Sequence, residues 1–145
     1  MNKSNQSFCN LIDIHTTFGI EVTVRTLANL RAATLAGTFH VLKDPFYKNT
    51  GYVAWASVNK ESFLSMRETG ISPKYPYEWK EGGLAFVTDL LYRARSKLGL
   101  RKILLDLFKQ RRVVAFCRKD VVSIYRRDGE KFRLVSKKRL KSGSA

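Results

Sequence analysis

The sequence predicts an α+β domain, a single mixed central sheet flanked by helices. Three observations lead there: stretches of helical and strand periodicity alternate along the chain, turn residues separate them, and the composition is that of a folded protein. Of the 145 residues, 44% are hydrophobic and 12% aromatic. That is enough for a real core, in a chain too short for two domains. Residues 1–130 are read as the folded unit and residues 131–145 as a basic, flexible C-terminal tail.

The elements follow in order. Residues 20–35 carry Ile20, Val24, Leu27, Leu30 and Leu35 at helical spacing, and Gly37 is a plausible stop. Residues 38–42 are short and β-prone. Asp44-Pro45 and Asn49-Thr50-Gly51 read as a turn, so residues 52–58 form the second arm of a hairpin. Asn59 caps a helix containing Phe63, Leu64 and Met66. Gly70, Pro73 and Pro76 make residues 70–77 irregular. Residues 82–92 form an apolar strand with one acid, Asp89. Residues 97–109 place Leu100, Ile103, Leu104, Leu107 and Phe108 on one helical face. Residues 113–116 and 121–125 read as paired strands around Lys119-Asp120. The order α, β, β, α, β, α, β, β is compatible with an acetyltransferase-like sheet.

Charge is the strongest compositional signal. The chain has 27 Lys and Arg against 12 Asp and Glu, for a net charge of +15. Such a field draws in polyanions, either nucleic acid or an acidic protein, and charge alone does not choose between them. No apolar run approaches the ~20 residues of a membrane span. The first ten residues are polar and lack the apolar core of a secretion signal. Cys9 and Cys117 are too few for a disulfide framework or a metal site. The expectation is a soluble, cytoplasmic protein with reduced thiols. Walker, zinc and dinucleotide patterns are missing, and Gly82-Gly83 does not make a coenzyme A pyrophosphate loop. No bound metal or cofactor is expected.

Few residues could carry acid–base chemistry. His15 precedes the first helix that periodicity supports, and His40 lies in the short strand 38–42. Each is either a structural histidine or a general base. Asp89 interrupts an apolar stretch that should be half or wholly buried, where a carboxylate is costly without partners. It either sits on the solvent face of an edge strand, pairs with Arg93, or orients a histidine and supports its positive charge. Cys117 reads as a small core residue, and nothing around Cys9 lowers its pKa.

Several motifs occur together and in order. Gly51-Tyr52-Val53-Ala54-Trp55-Ala56 resembles the Tyr-x-x-Trp-Ala strand of the RTX-toxin-activating lysine acyltransferases, the hemolysin-activating type. Glu78-Trp79-Lys80-Glu81-Gly82, followed by Phe86-Val87-Thr88-Asp89, is similar to that family's Trp-x-x-Gly segment and catalytic-aspartate strand. Val113 to Arg118 resembles a family strand ending in arginine, and Leu30 through Asp44 its helix and first strand. Where the family often has serine three residues before its histidine, this chain has Ile12.

The resemblance implies a fold similar to the Gcn5-related acetyltransferases. It implies transfer of a fatty acyl group from acyl carrier protein to lysine side chains of a protein substrate, as in protoxin activation. His15 and Asp89 take the catalytic positions, and the phosphopantetheine thioester of the carrier is the donor. An acidic carrier suits a chain of +15, with Arg93, Arg95, Arg111, Arg112 and Arg118 as candidate carrier contacts. A homodimer is also implied. Two other readings stand beside this one: a basic nucleic-acid-binding module in which Tyr92, Phe116 and Tyr125 stack bases, and a non-catalytic partner-binding protein on the same fold.

Overall fold

The computed structural model describes residues 2–43, 49–92, 97–118 and 120–140. They form a single α+β domain with a six-stranded mixed sheet and four helices. The helices are α1 (Lys3–Phe18), α2 (Val24–Ala36), α3 (Lys60–Thr69) and α4 (Lys97–Leu107). The strands are β1 (Phe39–Lys43), β2 (Asn49–Val58), β3 (Leu84–Tyr92), β4 (Val113–Arg118), β5 (Val121–Asp128) and β6 (Lys131–Arg139), in that spatial order. Every neighbouring pair is antiparallel except β3 with β4, which α4 joins by a crossover.

Alternation along the strands makes two cores. On β2, Tyr52, Ala54, Ala56 and Val58 face one side and pack with α1, α2 and α3. Val53 and Trp55 face the other side, where Phe108 at the end of α4 meets Trp55 edge-on at 5.2 Å. The small alanines of β2 let α2 lie close, with its own Ala32 and Ala33 buried against the sheet.

Three helix starts are capped as their residue types dictate. Asn2, Thr23 and Asn59 each accept a hydrogen bond from the backbone three residues on. Gly19, Gly37 and Gly70 end the same helices in the left-handed conformation, which glycine adopts without steric cost.

Trp79 closes the first core. It ends a 3₁₀ turn, Pro76–Trp79, is 1% exposed, and donates its indole N–H to the Pro73 carbonyl at 3.0 Å. Gly82, three residues on, donates to the Ser57 carbonyl at 3.2 Å. A Cβ there would land on the Val58 carbonyl and the Asn59 nitrogen, so the close approach of this loop to β2 requires glycine.

Four expectations are corrected. First, residues 3–18 are helical, so His15 lies in the last turn of a helix rather than ahead of one. Second, the next helix begins at Val24, not at residue 20. Its large apolar side chains Val24, Leu27 and Leu35 are exposed, and the buried face is Asn29, Leu30, Ala32, Ala33 and Thr34. Third, residues 97–109 extend past the helix, which ends at Leu107. Fourth, the basic tail is a strand from Lys131 to Arg139, paired along its length with β5. Leu140 then reaches the first core and donates its N–H to the Asp120 carbonyl at 2.6 Å. Of the turn expected before residue 52, Asn49, Thr50 and Gly51 instead open β2, and residues 44–48, like residues 141–145, lie outside the described residues.

Candidate functional site

The site forms where α1 and α2 cover the middle of β2 and β3. His15 is brought there by α1, whose Leu11 and Ile14 are fully buried one turn and one residue before it. The imidazole is itself buried, at 6% exposure. Its Nε2 is 2.7 Å from the hydroxyl of Tyr52 on β2, and the rings lie tilted against each other. Nδ1 is buried without a hydrogen-bond partner.

Asp89 reaches the same face through a β-bulge. Ala54 pairs with Asp89 and Trp55 with Val87, so Thr88 is the extra residue. Directly opposed residues share a face of a sheet. Asp89 therefore lies on the side of Ala54 and Tyr52, while Val87 lies on the side of Trp55. Without the bulge, strict alternation from Val87 through Asp89 would aim the carboxylate at the α4 side.

Burial is the main influence on the Asp89 carboxyl and pushes its pKa up. Hydrogen bonding to Thr88 and Asn29 and the charge of Arg25 oppose it. Its Oδ2 has no partner. Burial, then the negative charge of Asp89, push the Tyr52 hydroxyl far up, so Tyr52 is a neutral phenol across the physiological range. Burial also lowers the His15 pKa, with the Ile20 backbone acting in the opposite sense. The fold thus favours a neutral imidazole, and that stabilisation is lost as pH falls through the lowered value.

His15 and Asp89 are therefore both directed to the face of Tyr52, which bonds His15 and feels the charge of Asp89. Two buried polar atoms, Nδ1 of His15 and Oδ2 of Asp89, remain unpaired there. Native interiors leave few such groups, and those that persist often mark working sites. Tyr52 was quoted in the sequence only as part of a motif. Its signal was the one phenol in a run of buried small and apolar residues, where a hydroxyl needs a partner.

Beyond the bulge the sheet opens. β3 and β4 pair only at Ala85–Val114, Phe86–Ala115 and Val87–Phe116, although β3 runs on to Tyr92 and β4 to Arg118. A cavity of about 630 Å³ fills the gap, lined by Asp89, Leu91, Tyr92, Phe116, Arg118 and Tyr125, among others. The β4-facing backbone groups of β3 past Val87 have no strand partner, so an extended chain bearing amides could bond there.

The remaining candidates are placed as follows. Arg118 borders this cavity and is exposed. Arg111 is held by the fold, donating to Ser57 Oγ at 2.9 Å and to the Gly82 carbonyl at 3.2 Å. Arg112 is exposed at the far end of β4, away from Asp89. Arg93 and Arg95 lie outside the described residues. His40 is exposed on β1. Cys117 packs partly against the first core, where burial raises its thiol pKa, and Cys9 is exposed. Among the described residues no helix is long and apolar enough to cross a membrane. No protein-family model and no curated protein matches the chain.

Proposed function

We propose that this chain is an acyltransferase that moves a fatty acyl group from the phosphopantetheine thioester of acyl carrier protein to lysine side chains of a protein. One observation carries the reading. A buried histidine bonded to a phenol lies on the sheet face that also carries a buried, partly unpaired aspartate, and the aspartate borders the gap where β3 and β4 part. A mixed sheet, open at its parallel β3–β4 pair, is compatible with the same view. The gap suits an extended pantetheine arm, whose amides could meet the free edge of β3.

In this mechanism His15 takes the proton that a lysine ammonium must lose before it attacks, since its reference pKa is ~10.4. The nitrogen then attacks the thioester carbonyl, the tetrahedral intermediate collapses to the amide, and the carrier thiol leaves with a proton. Tyr52, bonded to Nε2, holds the ring in place. Asp89 acts on this pair through its negative charge on the Tyr52 hydroxyl. Tyr52 is thus a positioning residue. Tyr52→Phe should fold and lose about tenfold in kcat/KM, the scale of one buried hydrogen bond. It should also shift the acidic limb of the pH profile; an unmoved profile would remove Tyr52 from the mechanism.

The pH dependence has a definite sign. A lowered His15 pKa keeps the base form populated below its ordinary 6.5. The acidic limb of kcat/KM should therefore have its midpoint under 6.5, and a midpoint above it would point to another base.

The direct test incubates the protein with acyl carrier protein charged with a radiolabelled fatty acid, comparing wild type with His15→Ala and Asp89→Asn. Label reaching protein lysine, or thioester loss that needs both residues, supports transfer. A carrier left charged at every chain length sinks it.

The nucleic-acid reading has less support. Phe116 and Tyr125 meet edge-on at 5.9 Å and line cavities instead of presenting flat faces for stacked bases.

A further inference from the structure

A second cavity lies on the opposite face of the sheet, beneath α4. It measures about 590 Å³ and is walled by Leu104 of α4, Phe108 just past its end, Phe116 of β4, Tyr125 of β5 and Phe132 of β6. α4 is amphipathic, and Leu100 and Leu104 form an inner edge that Phe108, four residues on, continues. That edge does not close on the strands. Protein interiors are ordinarily packed as densely as organic crystals, so an apolar space of this size forgoes many contacts. It lies within the ~300–1,000 Å³ of small-molecule sites. Apolar cavities accept apolar ligands in preference to water.

The decisive feature is continuity. Tyr92, Phe116 and Tyr125 line both this cavity and the one containing Asp89. The two spaces adjoin along the α4 face of the sheet, so one ligand can reach from beside Asp89 to beneath α4. Its reacting end would sit by Asp89 and its apolar end beneath α4. Among the described residues the wall is aromatic and aliphatic, with Arg101 its one charged side chain. Such a lining favours a hydrocarbon over a polar or charged tail.

We propose that the groove beneath α4 receives the hydrocarbon tail of the donor acyl group and so sets its chain length. This rests on the acyl-transfer reading above, which names the donor but not where its tail lies.

The experiment titrates the full chain with cis-parinaric acid, a fluorescent fatty acid that brightens in apolar surroundings. Wild type is compared with Leu104→Trp, which fills the groove, and Leu105→Lys, which charges its exposed rim without touching the packed interior. His40→Ala, exposed on β1 and outside both cavities, serves as a control. Both groove variants should bind at least tenfold more weakly, with His40→Ala unchanged. In transfer assays Leu104→Trp should shift preference toward shorter acyl chains. The proposal is overturned if wild type does not bind the probe, or if Leu105→Lys, melting as wild type does, binds it equally well. Transfer that proceeds with unchanged chain preference in both variants would also sink the groove and leave the acyltransferase standing. Probe binding lost in both variants, with the charged carrier never discharged, would instead sink the acyltransferase and the donor assignment. The groove would then remain as a site for free hydrocarbon chains.

Discussion

Asp89→Asn is expected to abolish most acyl transfer while making the protein more stable at neutral pH. The loss should be a hundredfold or more in kcat, on the ~10²–10⁴ scale of acid–base assistance. The gain follows from burial. The folded-state pKa of Asp89 is raised above its ordinary 3.8, so the folded protein holds this proton more tightly than the unfolded chain. The associated stability is fully present below 3.8 and is lost as pH rises through the raised value. At neutral pH the charged carboxylate therefore weighs against the fold, and the neutral amide removes that load. Asparagine also keeps the shape needed by Thr88 and Asn29. Melting curves of the two proteins should lie apart at pH 7, with the variant higher, and converge as pH approaches 3.8. A variant that melts lower at pH 7 would make Asp89 a structural ion. One that retains transfer would make it a bystander.

Trp79→Ala is expected to have the largest effect on stability of any single truncation. The indole is almost fully buried in the first core and its N–H is bonded to Pro73. Removing a buried aromatic of this kind costs about 3–5 kcal/mol, from lost burial and the cavity left behind. Against a typical domain stability of ~5–15 kcal/mol, the variant should sit near the edge of folding. Urea unfolding with an unchanged slope and a much lower midpoint would meet the expectation. A midpoint within a few tenths molar of wild type would not. Trp79→Phe should recover much of the loss. Trp79 is thus a structural plug, and Gly82 beside it is a steric necessity. The Trp-x-x-Gly spacing is accounted for by packing, while Asp89 at the end of the same run has no such account.

Much of the architecture was legible because it rests on local rules. Gly37 and Gly70 sit where helices must end, Asn59 sits where one must begin, and residues 52–58 are apolar because both faces of β2 are covered. The failures have equally local causes. α1 escaped notice because its buried stripe, Phe8, Leu11, Ile14 and His15, is diluted by polar neighbours and opens on a polar turn. Hydrophobic spacing alone picks Leu30 correctly but misplaces the rest of the α2 face, because β2 presents alanines against which Ala32 and Ala33 fit closely while Val24, Leu27 and Leu35 stay exposed. β6 was read as a tail because one strand at a sheet edge buries little and can carry charge on nearly every residue.

The candidate site divides the same way. Asp89 could be singled out from sequence, because one acid in an apolar strand violates the cost of burying charge. His15 could be named as one of two histidines, but not where it points. What the sequence alone determined was the set of local choices: caps, stops, strand runs, the basic charge and the anomalous aspartate. Only the tertiary structure decided that a one-residue bulge turns Asp89 toward Tyr52, that Tyr52 bonds His15, and that β3 and β4 part to leave a cavity beside Asp89. Those facts depend on register and on contacts between residues 29 to 37 positions apart. Local propensity carries no record of either.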